Sequence, residues 1–238
     1  TNFLLHLAMI RGKFSNFWRH CETRFFLIVF AVSVPLMIYS MLKCNYTDSF
    51  WEALRQTVFQ FVTCITTTGF ISVEDMSLLP NAFITFMILL MLIGGNLEST
   101  GGGIKQYRVI VTLKGIANMI RGTILHQNAV TTTYIERAGK RYPLSDDEIR
   151  STSSYILFYL ILFFAGSLIF TMEGYNLQDS MFEFASAIST VGLSLGITGY
   201  HARSYILWTG IVGMFLGRLE LMVVFEAFLR VFKDVKKA

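Results

Sequence analysis

The chain alternates between long apolar windows without charge and shorter polar segments. The windows 25–42, 76–97 and 151–172 contain 18, 22 and 22 residues without Asp, Glu, Lys or Arg. Each reaches the roughly 18–20 residues that a helix needs to cross the hydrocarbon core of a bilayer. A fourth window of 14 residues opens at Ser204 and is interrupted by Arg218, which has to lie against protein or water. The pattern predicts four membrane-spanning helices, at 25–42, 78–97, 151–172 and 204–232.

Composition supports the membrane class. Of the 238 residues, 53% are hydrophobic and 15% are charged, and the net charge is only +4. A soluble domain has about one quarter charged residues, so neither a cytosolic globule nor a disordered or nucleic-acid-binding chain fits. The 3 cysteines lie 20 or more positions apart and the 4 histidines are scattered, which offers neither a disulfide framework nor a metal site.

Two further uncharged windows, 56–73 and 184–202, have a different pattern. Each begins like a short amphipathic helix and then becomes rich in Thr, Ser and Gly. A re-entrant loop fits this pattern, because irregular backbone at membrane depth is tolerated only where it is buried in protein or lines a watery path. An extracellular loop with a short interfacial helix fits it as well, and the windows alone leave both structures open.

The distribution of basic residues predicts the topology. Segments 1–24, 103–151 and 230–238 hold 16 of the 20 Lys and Arg residues. Segments 43–81 and 173–203 hold 3, together with 7 acidic residues. Because basic residues concentrate on the cytoplasmic side of membrane proteins, the first group is predicted to be cytoplasmic and each re-entrant window to enter from outside.

An internal repeat relates the two halves. A shift of 123 positions aligns residues 54–94 with 177–217 without a gap, and 9 of the 41 aligned pairs are identical. The pairs include Thr67 with Thr190, Gly69 with Gly192 and Gly94 with Gly217. Both copies have the same orientation, so they are parallel repeats about an axis along the membrane normal. Such symmetry predicts a central pore.

The Thr-x-Gly turns of the two copies are the candidate ion site. Both can be aligned with the Thr-Val-Gly-Tyr-Gly filter of potassium channels, in which rings of main-chain carbonyls replace the hydration shell of the ion. The short helices before them, at roughly 50–64 and 177–188, would direct the negative ends of their dipoles toward a cation. The candidate filter residues are Thr66, Thr67, Thr68, Gly69, Phe70, Thr190, Val191, Gly192 and Leu193. Potassium would bind through the main-chain carbonyls of Thr67, Thr68, Gly69, Thr190, Val191 and Gly192. Simple helix-capping turns in a packed bundle are the alternative.

A family resemblance rests on four stretches of sequence: TTTGF at 66–70, GGNLESTGGGIKQYRV at 94–109, STVGLS at 189–194 and GRLE at 217–220. With them the chain resembles the TrkH/KtrB family of potassium uptake proteins, within the Trk/Ktr/HKT superfamily. The resemblance implies an all-α polytopic membrane protein with two parallel helix–re-entrant pore loop–helix repeats of a potassium-channel-like pore. Family members resemble four fused pore units, and this chain matches the third and fourth, so we expect a fragment of a longer subunit.

The resemblance also implies a division of the chain into four parts. Residues 1–24 and 121–150 would be cytoplasmic linkers. The third repeat would occupy 25–120, with span 25–42, pore helix and filter 50–70, span 78–97, gate loop 94–103 and a following helix. The fourth repeat would occupy 151–238, with span 151–172, pore helix and filter 177–194 and span 204–232.

The glycine-rich stretch matches the intramembrane gating loop of the family, beneath the filter. Arg218 matches a pore-facing arginine that raises the barrier to cations. The implied gate residues are Gly94, Gly95, Glu98, Gly101, Gly102, Gly103, Lys105 and Arg218. The sequence departs from the family at 96–98, where Asn-Leu-Glu replaces small residues and a glycine. Glu98 would place a carboxylate in or near the path, paired with Arg218 or Lys105.

Partners and location follow from the same resemblance. The resemblance implies a homodimer of full-length subunits in the bacterial inner membrane, where each subunit would cross the membrane several times. It also implies a TrkA/KtrA-type cytosolic nucleotide-binding regulator, which would dock on the basic segment 105–150. Potassium is the transported ion, no cofactor is implied, and no partnership with nucleic acid is expected. The sequence does not separate potassium from sodium preference, or uniport from proton or sodium symport.

Other functions remain as alternatives. Gly192-Leu193-Ser194-Leu195-Gly196 has the G-x-S-x-G pattern of serine hydrolases, and His201 follows it, so an intramembrane hydrolase would use Ser194 and His201. That hypothesis does not explain the Thr-x-Gly turn at 66–70, and we do not expect the chain to be an enzyme. A non-conducting structural or regulatory subunit is the third possibility. The glycine stretch could then mark close helix packing, and Arg218 with Glu220 could be a structural ion pair.

Overall fold

A computed structural model describes residues 10, 12, 14–73, 75–124, 133–137 and 140–218. Within them the chain is almost entirely helical. The helices are α1 (Phe14–Arg19), α2 (Cys21–Lys43), α3 (Phe50–Ile65), α4 (Asn81–Ile93), α5 (Gln106–Ile124), α6 (Asp146–Thr171), α7 (Leu177–Ile188) and α8 (Ser204–Arg218), with a 3-10 turn at Met76–Leu78. Strands β1 (Tyr134–Arg137) and β2 (Lys140–Pro143) form an antiparallel hairpin. Residues 219–232, the rest of the fourth predicted span, lie outside the described residues.

Helices α2 and α6 are long and apolar enough to cross a membrane, with 23 and 26 residues and mean hydropathies of 2.4 and 2.0 in their most apolar windows. Each exposes a stripe of large apolar side chains at helical spacing. The stripes are Ile28, Val32, Leu36 and Tyr39 on α2, and Leu157, Ile161, Phe164 and Leu168 on α6. Stripes of this kind are unfavourable in water and are what lipid-facing helices present.

The helices form two similar units, in which a long helix packs on a short helix and the short helix packs on a second apolar helix. In the first unit, Phe26 and Phe30 of α2 pack edge-on against Phe61 of α3, with ring centroids 5.6 and 5.1 Å apart. In the second unit, the ring of Phe184 on α7 fills the space above Gly166 on α6, where an added Cβ would lie 2.1 Å from that ring. Phe61 and Phe184 are equivalent in the repeat, so the same aromatic position anchors each short helix.

The third apolar helix, α4, is shorter than the predicted span 78–97. Pro80 precedes its first residue, and Gly94 ends it with a φ of 69°. Residues 94–105 are irregular, and α5 begins at Gln106. The span 78–97 was predicted from the length of an uncharged window, and such a count does not detect a glycine that ends a helix. Gly94 ends α4 because it adopts the left-handed conformation. The equivalent helix of the second unit, α8, continues through Gly217 to Arg218.

The hairpin and α5 pack together. A small apolar cluster forms there from Tyr107, Ile110, Val111, Ile135 and Leu144. On the hairpin, the Arg141 side chain donates a hydrogen bond to Glu136 (2.9 Å) and holds the pKa of that carboxyl below its usual value. This cluster holds in place the part of the chain that joins the two units.

The two units share one apolar core, and the contact between them runs mainly through α4 against α7. The first unit therefore places its last helix against the short helix of the second. Inside the second unit, α8 approaches the end of α7 so closely that a Cβ on Gly217 would lie 1.7 Å from the carbonyl oxygen of Ile188. These contacts bring the C-terminal ends of α3 and α7, and the turns after them, to one place.

Candidate ion-conducting site

The turns after α3 and α7 close their helices with the same pair of main-chain hydrogen bonds. The bonds run from Thr67 N to Cys64 O (3.2 Å), Thr68 N to Thr63 O (2.9 Å), Thr190 N to Ala187 O (3.1 Å) and Val191 N to Ser186 O (2.9 Å). Every donor and acceptor lies 123 positions from its counterpart. The sequence repeat is therefore also a repeat of backbone geometry, and both turns do cap their helices.

The backbone conformations of the two turns also match. Thr67 and Gly69 have φ values of 55° and 83°, and Thr190 and Gly192 have 56° and 90°, while the residue between each pair has a negative φ. A left-handed conformation costs a β-branched residue about 1–2 kcal/mol. A helix cap does not need a threonine there, so the strain in both copies points to a function of the turn.

The main-chain oxygens of the turns are left available. Within the described residues, none of the hydrogen bonds that hold the turns ends on the carbonyl oxygens of Thr67, Thr68, Thr190 or Val191. The turns also touch each other, since a Cβ on Gly69 would lie 2.0 Å from the carbonyl oxygen of Val191. A Cβ on the equivalent glycine, Gly192, would have no described atom within 4 Å. The two turns are thus in direct contact with each other on one side.

Side-chain hydroxyl groups make hydrogen bonds at each turn, buried ones at the second turn and exposed ones at the first. The hydroxyl of Tyr159 on α6 lies 2.9 Å from that of Ser189, at the start of the second turn, and both residues are fully buried. The N–H of Gly192 donates to the hydroxyl of Ser186 (3.1 Å). In the first turn the hydroxyls of Thr66 and Thr68 lie 2.7 Å apart. Both turns therefore have side-chain hydrogen bonds in addition to the main-chain bonds that cap their helices.

The other filter candidates occupy different environments. Phe70 is 68% exposed and Leu193 is 2% exposed, although they are equivalent in the repeat. Ser194 donates a hydrogen bond to the buried carboxylate of Glu183 (2.6 Å). His201 is exposed, and its ring packs edge-on against Tyr200. The structure does not bring Ser194 and His201 together as a catalytic pair.

Residues 94–105, which we call the crossing segment, form a loop whose two ends are tied together. The N–H groups of Ile104, Lys105 and Gln106 donate to the carbonyls of Leu92 (2.9 Å), Ile93 (2.9 Å) and Gly95 (3.0 Å). Gly94 and Gly103 meet where the ends cross, and a Cβ on Gly103 would lie 3.0 Å from the Cα of Gly94. The glycines at 94 and 103 therefore permit a crossing that side chains would prevent.

The crossing segment lies directly against both turns. The N–H of Gly102 donates to the hydroxyl of Thr190 (3.0 Å), and a Cβ on Gly102 would lie 2.6 Å from the carbonyl oxygen of Ser189. A Cβ on Gly101 would lie 1.8 Å from the hydroxyl oxygen of Thr67. The glycines at 101 and 102 thus let the segment approach the two turns at contact distance.

Two cationic side chains bind main-chain oxygens of the crossing segment. The ammonium group of Lys105, which is 4% exposed, donates to the carbonyls of Ser99 (2.7 Å) and Gly101. The guanidinium of Arg218 reaches from α8 and donates to the carbonyl of Thr100. The hydrogen bonds described for these two cations go to the segment's backbone. Glu98 itself is exposed, and its expected pairing with Arg218 or Lys105 stays a prediction.

A buried carboxylate, Glu22, holds the other side of the crossing segment, and sequence reasoning missed it. Its oxygens accept hydrogen bonds from the N–H of Leu97 (2.8 Å) and the side-chain amide of Asn96 (3.3 Å), and the ring of His20 lies 3.1 Å away. Glu22 is 4% exposed at the start of α2. The one available signal was an acidic residue at the edge of an uncharged span.

Together these features define a class: a polytopic α-helical membrane transporter. The chain belongs to the TrkH family of cation transport proteins, whose family model matches residues 4–234. It is 30% identical over 95% of its length to an uncharacterized cation transporter of Methanocaldococcus jannaschii, covering 44% of that protein. It is 28% identical over 95% of its length to the Trk system potassium uptake protein TrkH of Salmonella typhimurium, covering 47%.

The fold has a counterpart among solved structures. The crystal structure of the potassium transporter TrkH from Vibrio parahaemolyticus superposes with a TM-score of 0.78 at 22% identity, over 94% of this chain and 48% of that one. The predicted fold class is confirmed at the level of a helical, polytopic membrane transporter. The chain spans about half the length of the relatives it matches. Its relatives are transport proteins, which agrees with the expectation that it is not an enzyme.

Proposed function

We propose that this chain forms half of a potassium-conducting pore, in which ions pass the two turns after losing water to main-chain carbonyls. The observation that carries the proposal is the matched, strained backbone of the turns, with φ of 55° and 83° in one and 56° and 90° in the other. Carbonyl groups that accept none of the hydrogen bonds described for these turns suit an alkali cation. The names of the Trk relatives support potassium as that ion.

Two turns cannot surround an ion. The complete transporter, by which we mean this chain together with two further pore units, would close the ring. A Cβ on Gly69 would meet Val191, whereas one on Gly192 would meet no described atom within 4 Å, and we expect the next unit to contact the protein there. The third and fourth repeats would be 25–120 and 151–238, joined by the cytoplasmic linker 121–150.

The crossing segment would be the gate. It lies against both turns, its glycines at 94, 95, 101, 102 and 103 allow that approach, and Lys105 and Arg218 hold its carbonyls. Removing the segment from beneath the turns would open the path. Arg218 would also place a positive charge where a cation has to pass, so its release from Thr100 would remove a steric and an electrostatic barrier together.

The surroundings follow from the same proposal. The complete transporter would be a homodimer in the bacterial inner membrane, with segments 1–24 and 103–151 and the C-terminus in the cytoplasm. A TrkA/KtrA-type nucleotide-binding subunit would dock on the basic segment 105–150, where α5 and the hairpin present Lys114, Arg121, Arg137 and Arg141. The proposal invokes potassium as cargo and no bound cofactor.

Potassium flux in proteoliposomes tests the function and the gate together. We expect the complete transporter to carry potassium and rubidium, and Arg218→Gln to raise the flux by about tenfold, because a hydrogen bond from a charged donor holds the gate. Arg203→Gln is the matched control, since Arg203 pairs with Glu173 (2.6 Å) and makes no described contact with the crossing segment. Its flux should equal that of the parent.

The two parts of the proposal fail in different ways. A parent protein that is correctly inserted and carries no potassium would refute the conducting function. A parent that conducts, with Arg218→Gln no faster than Arg203→Gln, would leave conduction standing and refute the assignment of the crossing segment as the gate.

A further inference from the structure

A second buried carboxylate lies behind the second turn. Glu183 on α7 is 3% exposed, and its two oxygens accept four hydrogen bonds. The donors are the hydroxyl of Ser194 (2.6 Å), the N–H groups of Leu195 and Ile197 (both 2.9 Å) and the hydroxyl of Thr198 (3.1 Å). All four belong to residues 194–198, which we call the outer loop. Glu183 therefore ties the pore helix to the chain that leaves the turn.

No cation neutralises this carboxylate in the part of the chain that the structure describes, since none of its ion pairs includes Glu183. Burying an isolated carboxylate is unfavourable by several kcal/mol unless donors replace its water. Four donors do so here, and hydrogen bonds to an ionised acceptor are about twice as strong as neutral ones. The charge thus strengthens every bond that holds the outer loop.

The internal repeat offers a comparison in which the equivalent residue carries no charge. Shifting by 123 positions places Glu183 on Gln60 and Leu195 on Ser72. Gln60 is fully buried, and its amide reaches the Ser72 hydroxyl at 3.4 Å. Both pore helices thus direct a long polar side chain from the same position to the loop beyond the turn. The first unit uses one long neutral bond where the second uses four bonds to a carboxylate.

We propose that Glu183 is a positioning residue for ion selection: by fixing the outer loop it holds the carbonyls of the second turn at the spacing that a dehydrated potassium ion requires. The outer loop continues directly from Leu193, so any movement of Ser194 and Leu195 is transmitted to Gly192. The inference rests on the conducting function proposed above and adds a specificity determinant to it. Glu183 does not touch the ion.

The test replaces Glu183 with the residue of the other repeat. In the complete transporter, Glu183→Gln keeps the size of the side chain and removes its charge. We expect the ratio of potassium to sodium flux to fall by about tenfold, as charge-assisted bonds become neutral ones. Glu173→Gln makes the same change in the same unit away from the turn, and its ratio should match that of the parent. Flux ratios are measured per folded transporter, so a loss of protein alone does not change them.

Two smaller changes keep the test decisive if Glu183→Gln does not fold. Ser194→Ala and Thr198→Val each remove one donor to the carboxylate, and each should lower the flux ratio by about threefold. Unchanged ratios in all variants that fold would overturn the positioning role, while a conducting parent would leave the proposed function intact. A parent without potassium flux would instead refute the function itself.

Discussion

Gly69→Ala should reduce potassium uptake by the complete transporter by about two orders of magnitude. The added Cβ would lie 2.0 Å from the carbonyl oxygen of Val191, and both atoms belong to the backbone or are fixed to it. Carbon and oxygen atoms at that distance have to separate by more than about 1 Å to reach contact distance. The φ of 83° adds about 1–2 kcal/mol of left-handed strain for alanine. The two turns would move apart, and carbonyl binding sites depend on their spacing.

Gly174→Ala is the matched control for the strain alone. Gly174 has a φ of 97° and no described atom within 4 Å of an added Cβ, and it precedes α7 in a loop away from the turns. Uptake by this variant in a potassium-uptake-deficient strain should stay within about twofold of the parent. Equal uptake by the two variants would contradict the assignment of Gly69 to the ion path.

Gly217→Ala should have the largest effect on stability. Its Cβ would lie 1.7 Å from the carbonyl oxygen and 2.7 Å from the carbonyl carbon of Ile188, the last residue of α7. Because a helix end has little room to move, α8 has to shift away from the short helix. We expect the free energy of unfolding in detergent to fall by about 3 kcal/mol, as in an overpacked core.

The control for this prediction is a second glycine-to-alanine substitution, which we expect to raise the free energy of unfolding. Gly122 lies on the exposed last turns of α5 with no described atom within 4 Å of an added Cβ, so Gly122→Ala should raise the free energy of unfolding by about 0.5–1 kcal/mol through helix propensity. Thermal unfolding followed by tryptophan fluorescence compares the two. A Gly217→Ala protein as stable as Gly122→Ala would show that α8 does not pack closely on α7.

The features that sequence analysis predicted are those that depend on local composition. The uncharged windows correspond to α2 and α6, because lipid-facing helices need long apolar stretches whatever else they contact. The short helix at 177–188 was predicted with the bounds that α7 has, since the window changes there from amphipathic periodicity to Thr, Ser and Gly. The equivalence of Thr67 with Thr190 follows from the repeat, and the backbone reproduces it.

The features that sequence analysis missed depend on contacts between distant residues. Glu22 binds Leu97, 75 positions away, and no local pattern encodes that pairing. Glu98 attracted attention because it departs from the family pattern, whereas the buried acids that hold the loops are Glu22 and Glu183. Comparing Glu183 with Gln60 in the repeat was a usable signal, because a polar residue at equivalent positions of two apolar helices needs a partner.

Anomalous X-ray diffraction from heavy monovalent cations tests most directly whether the main-chain oxygens of the two turns bind the ion. Crystals of the complete transporter soaked in thallium or rubidium salts should show an anomalous peak on the axis that the turns share, in contact with the main-chain oxygens of Thr67, Thr68, Thr190 and Val191. The ligands that these turns contribute to the ion should all be carbonyl oxygens. An occupied peak elsewhere, against a carboxylate such as Glu98, with none beside the turns at a concentration that saturates transport, would contradict it.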